Sequence, residues 1–594
     1  MSEAAFRRHR PSPSAGLELP PEFPEESETD VVVIGAGPNG LIAAAYLTAA
    51  GLDVTLLERR YEIGGGLATE EILFPHHYAN THASYHYMVD YMPPIDDFDL
   101  TGHGLRYHKP FGQTGAVMGS DYVYLCRAFE DTRDSLARFG LDQADVYGAM
   151  GSRFRTIVER ILGPATYLPP DAPVDLTEAL QRDDVGRDML DLSEQSALEI
   201  LDRYELRDSV KATFLYMACQ WGLSPAESGM GFMVPLLIDR GMQKAFVHGG
   251  SHRLASAFAR VILRQGGIIL DNAEVVQILT DGERASGVML EDGRKIHARK
   301  AVLSSLDPQT TFLHLLPAEA APEGLRESAR GWNWDKWSLL SVFFATKGKP
   351  TWRDNRDNSM IGMPDPFATI LGFEGSDDVV RFLDGVERGE LPKIAGHFTC
   401  ESAFDPALSQ KEGEHVSFFQ MPAPYDFPWE ERRDDLVRQV TDLLDTHFGG
   451  IPRLGHAGGR GVAEVHRAAD AEHGPWLDQA RRLQPDPDGQ QPPQRRLLVE
   501  SHAGRGPVPV RRLDVPRRDG HRWARLHRRT DRLRRQRDEV PVRLPRPRTP
   551  VPRHVLPRRQ GRRPARLTAS EMHRGAADGG CHPVTGGCRK TRES

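Results

Sequence analysis

Cysteine is scarce in this chain: Cys126, Cys219, Cys400, Cys581 and Cys588 are scattered over 594 positions, and no Cys-x-x-Cys pair occurs. That count and spacing exclude a disulfide framework, a zinc ribbon and a redox-active dithiol, and they fit a reducing, cytoplasmic setting. Long apolar runs are missing too. A membrane-spanning helix needs about 20 apolar residues in succession. The best candidate, residues 30–57, is interrupted by Gly35, Gly37, Gly40, Gly51 and Asp53, so no span is expected. The first 28 residues lack the apolar core of a secretory signal. Arg7, Arg8 and Arg10, followed by a Pro-rich acidic stretch, read as a frayed tail, with a mitochondrial presequence as the alternative. Neither a Ser/His/Asp set nor paired carboxylates stand at an informative spacing, so no catalytic base is named.

Isoleucine, phenylalanine and tyrosine vanish after Ile451. Residues 461–594 hold 30 Arg, one Lys, 15 acidic residues and 16 Pro, a net charge of +16; residues 1–460 carry 44 basic and 68 acidic groups, a net of −24. The overall −8 therefore joins two unlike sequences. With that charge and without those residues, the C-terminal segment cannot offset the entropy of ordering the chain.

What is present begins with Val31-Val32-Val33-Ile34, the continuous β-branched run of a strand buried on both faces of a parallel sheet. Gly35-Ala36-Gly37-Pro38-Asn39-Gly40 follows at once, then an Ala-rich helix over 41–50 stopped by Gly51, then a second strand, Val54 to Leu57, ending at Glu58. This is a complete βαβ unit. Gly35 permits the tight turn out of the strand, Gly37 lets the backbone approach a pyrophosphate, and Gly40 lets helix pack on strand. Free amides at the helix start face the phosphates. Glu58 lies 18 residues beyond Gly40, where a carboxylate accepts hydrogen bonds from ribose hydroxyls and repels a 2′-phosphate, disfavouring NADP. A second glycine cluster, Gly64-Gly65-Gly66, follows so soon that it suits a longer cofactor, FAD, rather than NAD.

Further along, residues 76–240 mix aromatics, Met and charge, with helical patches such as 188–204, and read as an inserted substrate or cap region. From Gly249 an amphipathic helix over 254–264 is stopped by Gly266-Gly267, and three short strands alternate with turns at Asp281-Gly282 and Asp292-Gly293. Ala301 to Ser305 returns as a buried strand, 334–425 is strand-rich, and 434–448 is an amphipathic helix.

The stretches DVVVIGAGPNGLIAAAYL (30–47), LLERRYEIGGGLAT (56–69), Gly249-Gly250 with Leu254, AEVVQIL (273–279), GVMLEDGRKIHARKAVLSSLDPQTTF (287–312) and DPALSQKEGEH (405–415) resemble the phytoene desaturase-like branch of the FAD-dependent amine oxidase superfamily. Within it they are most similar to the pyridine nucleotide-disulfide oxidoreductase domain-containing protein 2 group. The resemblance spans residues 29–455. It implies that Gly35, Gly37 and Gly40, with Pro38 and Asn39, contact the pyrophosphate. Glu58 would hold the ribose, with Arg59 beside the adenosine. Gly65 and Gly66 would line the ribityl-phosphate chain near Thr69, and the backbone of Val275 would pair with adenine. It further implies desaturation or saturation of carbon–carbon bonds in an apolar, isoprenoid- or polyene-like substrate by hydride transfer with the flavin. No second dinucleotide fingerprint is visible, so oxygen, a quinone or a protein is the expected electron acceptor. Peripheral membrane contact is compatible with such a substrate, and no specific nucleic acid is expected. An amine oxidase on the same scaffold, or a non-catalytic chaperone-like protein keeping a relic flavin site, are the alternatives.

The expected fold is α/β. A discontinuous Rossmann-like FAD-binding domain (29–75 and 242–310) carries an α+β substrate domain (76–241 and 311–455), with a disordered N-terminal tail (1–28). Two departures from the family stand out: Ser251-His252-Arg253 follows the glycine pair, and residues 456–594 lack the strand and Gly-rich turn that approach the flavin ring in relatives. Weaker signals remain. His76, His77, His82 and His86 cluster with Tyr78, Tyr85, Tyr87 and Tyr91, and His82/His86 have zinc-like i, i+4 spacing, but no His-Glu-x-x-His pattern accompanies them and no metal site is expected. His252 and Arg253 open a helix as solvated residues or near the phosphates. Trp332, Trp334 and Trp337 read as sheet core.

Residues 456–594 admit three readings: a basic nucleic-acid arm, a disordered natural tail, or GC-rich DNA translated out of phase after a frame slip near residues 450–465. The 30 Arg beside one Lys, with the loss of Ile, Phe and Tyr, favour the frame slip. Re-sequencing the gene is expected to show a one-base shift that restores an in-frame strand–Gly–helix ending; a clean read without such an ending refutes it.

Overall fold

The computed structural model describes residues 24–451, except 74, 169–172, 283, 333, 335–336 and 354–362, together with 463–467. A six-stranded sheet is built from β1 (Glu26–Ile34), β2 (Val54–Leu57), β3 (Ile268–Leu270), β4 (Val275–Asp281), β5 (Arg284–Leu290) and β6 (Lys295–Ser304), with helices α1 (Pro38–Ala49) and α2 (His252–Arg264). The strand order is β4-β5-β6-β1-β2-β3. β1 runs parallel to both β6 and β2, and β2 parallel to β3, while β4, β5 and β6 form an antiparallel meander.

The uninterrupted apolar run of β1 has its reason here. Val31 and Val33 pack on one face with Leu41, Ala44, Leu254, Phe258 and Ile262 of the two helices. Val32 and Ile34 pack on the other with Ile278, Val288 and Ile296 of the meander. A strand covered on both faces has no polar side to alternate with.

β1 starts at Glu26, inside the segment expected as tail, because Glu26 to Thr29 pair in register with Lys295 to Ala298. The third meander strand and the expected return strand 301–305 are one strand, β6, which meets β5 at its start and β1 along its length. Residues 301–304 are exposed or half-buried, not buried as expected.

The second sheet has seven strands, in the order 463–467, 337–347, 414–424, 396–399, 368–373, 112–118, 121–126. Gly112–Met118 pairs parallel with Ala368–Phe373, so residues from either side of α2 in sequence share one sheet. Its core collects helices Leu141–Ile157, Asp208–Cys219, Ser376–Glu387 and Trp429–His447. The last begins five residues before its expected start. The helix expected over 188–204 is two helices, Asp184–Ser193 and Ala197–Asp202, because Ser196 accepts from Glu199 N and its own N–H donates to the Glu199 carboxylate, a capping box that starts a new helix. The architecture is α/β: a Rossmann-like sheet joined to a mixed sheet with helices. Trp332 and Trp334 are exposed at 51% and 41%, so they are not core; only Trp337 enters a strand. No helix among the described residues is long and apolar enough to cross a membrane.

Candidate dinucleotide-binding site

The three fingerprint glycines serve three different ends. Gly35 has φ +89°, and a Cβ there would stand 2.6 Å from Ser305 Oγ. Its N–H donates to Leu57 O at 2.9 Å, closing the turn over β2. At Gly40 a Cβ would stand 2.0 Å from Gly35 O, so any side chain would push α1 off the strand. Gly37 is required by neither argument. Its φ is −66°, and a Cβ would meet nothing within 4 Å. What lies beside Gly37 is open space at a helix start.

That helix start is built for an anion. Gly37 is the N-cap of α1, Pro38 stands in the first turn, no side chain caps the helix and no acid lies in its first turn. The first intrahelical bond runs from Leu41 N to Gly37 O. The amides of Asn39 and Gly40 therefore open toward the space beside Gly37, where the positive end of the helix dipole favours negative charge.

Glu58 sits beside this turn and is buried. Its Oε2 accepts from Ala36 N at 3.0 Å and its Oε1 from Arg60 N at 2.9 Å. Each oxygen keeps a lone pair for a hydroxyl donor. Burial pushes its pKa up, against the pull of those two amides and of Arg59 and Arg60. Arg59 is exposed next to it, and Arg60 pairs with Glu70 at 2.7 Å.

The second glycine cluster folds onto the first. Gly64 N donates to Ala36 O at 2.8 Å, and Gly64 and Gly65 adopt φ of +120° and +53° before a short 3-10 turn over Gly65–Leu67. From the other side, Ala273 N donates to Glu58 O at 2.8 Å and Asn272 N to Arg60 O at 3.1 Å. These bonds carry the chain to Val275, half-buried at the start of β4. Gly35 to Gly40, Glu58, Arg59, Gly65, Gly66 and Val275 are thus gathered around the carboxyl ends of β1 and β2, where ligands of open α/β sheets bind. Thr69 differs. It is fully buried, with Oγ1 bonded to Asn80 Oδ1 at 2.8 Å and accepting from His252 N at 3.1 Å, so it fastens the start of α2. His252 is buried with it, against the expectation of a solvated residue, whereas Arg253 is exposed. The cofactor segment expected to be missing from 456–594 falls, but for 463–467, outside the described residues.

Beyond Gly66 lies an aromatic cluster drawn from segments remote in sequence. Ala83 N donates to Gly66 O at 3.1 Å, and two residues on, Tyr85 enters an aromatic cluster. Its ring centroid lies 5.5 Å from Tyr87, 5.7 Å from Phe367, 6.0 Å from Trp221 and 6.4 Å from His397. Phe246 stacks on Phe367 at 5.1 Å. Lys244 is buried against this wall. Its ammonium nitrogen bonds Thr114 Oγ1 at 2.8 Å and Gly241 O, and lies 5.7 Å from the Tyr85 ring centre. Burial pulls its pKa down to about 7, and burial together with Lys244 pulls His397 down to about 3. The His82/His86 zinc spacing is void, because residues 81–88 are not helical; His86 instead contacts Tyr107 Oη at 3.0 Å and Ser251 Oγ at 3.2 Å. An open hollow of about 1100 Å³ lined by Trp334, Asp384, Glu387, Arg388 and Asp426 shares no residue with either region.

Residues 33–98 match the NAD(P)-binding Rossmann-like domain, and residues 144–460 match the flavin containing amine oxidoreductase family. The chain is 31% identical over 415 residues to a limonene dehydrogenase subunit of Castellaniella defragrans, covering 68% of this chain and 75% of that protein. It is 28% identical to the rat pyridine nucleotide-disulfide oxidoreductase domain-containing protein 2, covering 72% and 80%. It is 26% identical to a lycopene-forming phytoene desaturase of Paracoccus, covering 54% and 62%. The cofactor of such a chain is a flavin, and the open cradle at Gly37, the uncapped helix start and the buried carboxylate fit its dinucleotide half.

Two substitutions separate ligand space from packing. Gly37→Val is expected to cost about 0.5–2 kcal/mol, for the poorer N-cap alone, and to leave a folded protein while abolishing the bound flavin spectrum, whereas Gly40→Val is expected to yield no folded protein. Equal loss of fold in both would show that Gly37 is there for packing. Lys244 gives a pH test. A lysine lowered from 10.5 to about 7 on folding binds its proton first in the unfolded chain, so stability falls as pH drops from about 10.5 to 7 and levels off below. Lys244→Met is expected to shrink the stability difference between pH 10 and pH 7 by about 2–4 kcal/mol; an unchanged slope in thermal melts counts against a buried neutral amine.

Proposed function

Because the chain belongs to the flavin containing amine oxidoreductase family, in its phytoene desaturase-like branch, we propose that it desaturates or saturates carbon–carbon bonds of an apolar isoprenoid- or polyene-like molecule. FAD, when bound, supplies the hydride acceptor or donor. The amides of Asn39 and Gly40 with the bare backbone of Gly37 hold the pyrophosphate, and Glu58 holds the ribose beside Arg59. Gly65 and Gly66 pass close to the ribityl chain, and the backbone of Val275 meets the adenine. Tyr85, Tyr87, Phe367 and Trp221 enclose the substrate and exclude water. In the desaturating direction the electrons leave to oxygen, a quinone or a protein; in the saturating direction an external reductant must first reduce the flavin.

The observation that carries this reading is the aromatic wall hydrogen-bonded, through Ala83, to the second glycine cluster. An apolar molecule gains from every ring it buries against. Lys244, buried in this cluster with its own charge disfavoured, makes the site costlier for a second cation than for a neutral molecule. This favours a hydrocarbon over an amine. The names of two relatives, a limonene dehydrogenase subunit and a phytoene desaturase, point to the same substrate class.

The full chain is expected to purify yellow and to bleach anaerobically with monoterpene or polyene substrates, without peroxide release from a panel of primary and secondary amines. Peroxide from an amine with no polyene response would transfer the assignment to an amine oxidase; a colourless chain that takes up no added FAD would leave only an interaction protein.

A further inference from the structure

Three residues far apart in sequence meet beside Gly249-Gly250: His108, His248 and Asp405. His108 follows Tyr107 in a short strand paired with Phe246–Val247, His248 ends that partner segment, and Asp405 opens the turn Pro406–Leu408. Asp405 is fully buried. Its two oxygens accept from Gly249 N at 2.5 Å and Ala407 N at 3.2 Å, which fixes the carboxylate rigidly. The His248 side chain is about half exposed, so the cluster opens to solvent on one side.

The contacts at one nitrogen are the telling feature. His248 Nδ1 lies 2.8 Å from Asp405 Oδ1 and also 3.1 Å from His108 Nε2. A ring nitrogen carries either one proton or one lone pair. With the proton, it satisfies Asp405 and leaves His108 a share of an already committed hydrogen. With the lone pair, it satisfies a donor on His108 and faces the lone pairs of Asp405. Neither state serves both contacts well. A cation held in common serves both, since all three atoms can then turn lone pairs inward. At metal–ligand lengths of about 2.0–2.2 Å, donors roughly 90–110° apart around one ion stand about 2.8–3.6 Å from each other, which spans both separations.

We propose that His108, His248 and Asp405 bind a divalent first-row metal ion, zinc by preference for its imidazole and carboxylate donors, with solvent completing the shell on the exposed side of His248. The ion ties three segments together at the loop that leads into α2. His108 is oriented for this by stacking on Phe246 at 5.0 Å. The site needs no flavin, so it stands or falls apart from the proposed reaction.

The test uses the full chain, purified with zinc, dialysed exhaustively and assayed for metal by mass spectrometry, with cobalt(II) loaded in parallel as a visible-absorbing probe. About one zinc per chain is expected, with cobalt d–d bands of a nitrogen- and oxygen-ligated ion. His248→Ala, half exposed and therefore tolerated by the fold, and Asp405→Asn, equal in volume, are each expected to weaken zinc binding at least tenfold with the circular dichroism spectrum unchanged. Substoichiometric zinc in wild type, or the same content and affinity in His248→Ala as in wild type, overturns the site and leaves the 3.1 Å contact as a histidine–histidine hydrogen bond.

Discussion

The dinucleotide site of this chain hangs on the peptide groups of one alanine. Ala36 N donates to Glu58 Oε2, and Ala36 O accepts from Gly64 N. Through the first bond the carboxylate at the end of β2 is held beside the glycine turn; through the second the next glycine cluster is drawn over it. The residue is wholly buried, so both bonds lie out of water, where leaving a peptide group unpaired costs about 1–3 kcal/mol. Glu58 is thus not free to swing outward. It is held facing the open helix start by the same bond that spares a buried amide.

The parts of the fold that could be read from residues are those whose causes are local. A β-branched run followed at once by Gly-x-Gly-x-x-Gly, an Ala-rich stretch and a second apolar run leaves one arrangement, because each glycine answers to a neighbour within the same unit. The break near residue 195 was also local and legible: Ser196 and Glu199 have the spacing of a capping box, a stronger signal than the helical texture on either side. The second sheet was not legible, because its pairings are remote. Gly112–Met118 joins Ala368–Phe373 across some 250 positions, and nothing in either strand names the other. Trp332 and Trp334 misled because aromatic content suggests core, whereas they flank the first residues of a strand whose buried positions begin later, at Leu340.

The aromatic cluster beyond Gly66 was hidden for the same reason. Tyr85, Lys244, Phe367 and His397 come from four separate segments, and each alone is unremarkable in sequence. The backbone pairing of His86 with Ala245 sets Tyr85 and Lys244 side by side, and the bond from Phe367 N to Gly112 O and the pairing of His397 with Ile370 bring in the other two. The clustering of histidines and tyrosines over residues 76–91 holds two members of the aromatic cluster, Tyr85 and Tyr87, but the zinc-like spacing within it assumed a helix that does not form. An i, i+4 pair has meaning only on a helix; on the bent backbone of residues 81–88 it puts the two rings on unrelated courses.

Substrate choice is where fold likeness stops being informative, since amine and hydrocarbon oxidation share this scaffold. The electrostatics around Lys244 then bear on the choice. Lys244 Nζ is buried against Thr114 Oγ1, Gly241 O and the Tyr85 ring, so the amine is near the point of giving up its proton at neutral pH. A cationic substrate beside it would force that proton off or be forced out itself, and either event costs binding energy that an uncharged substrate does not pay. Burial, reinforced by Lys244 beside it, likewise holds His397 neutral. If the substrate meets these rings, as proposed, the burial that disfavours charge on Lys244 and His397 disfavours it in the substrate too, and the rings favour the molecule with the most carbon to bury.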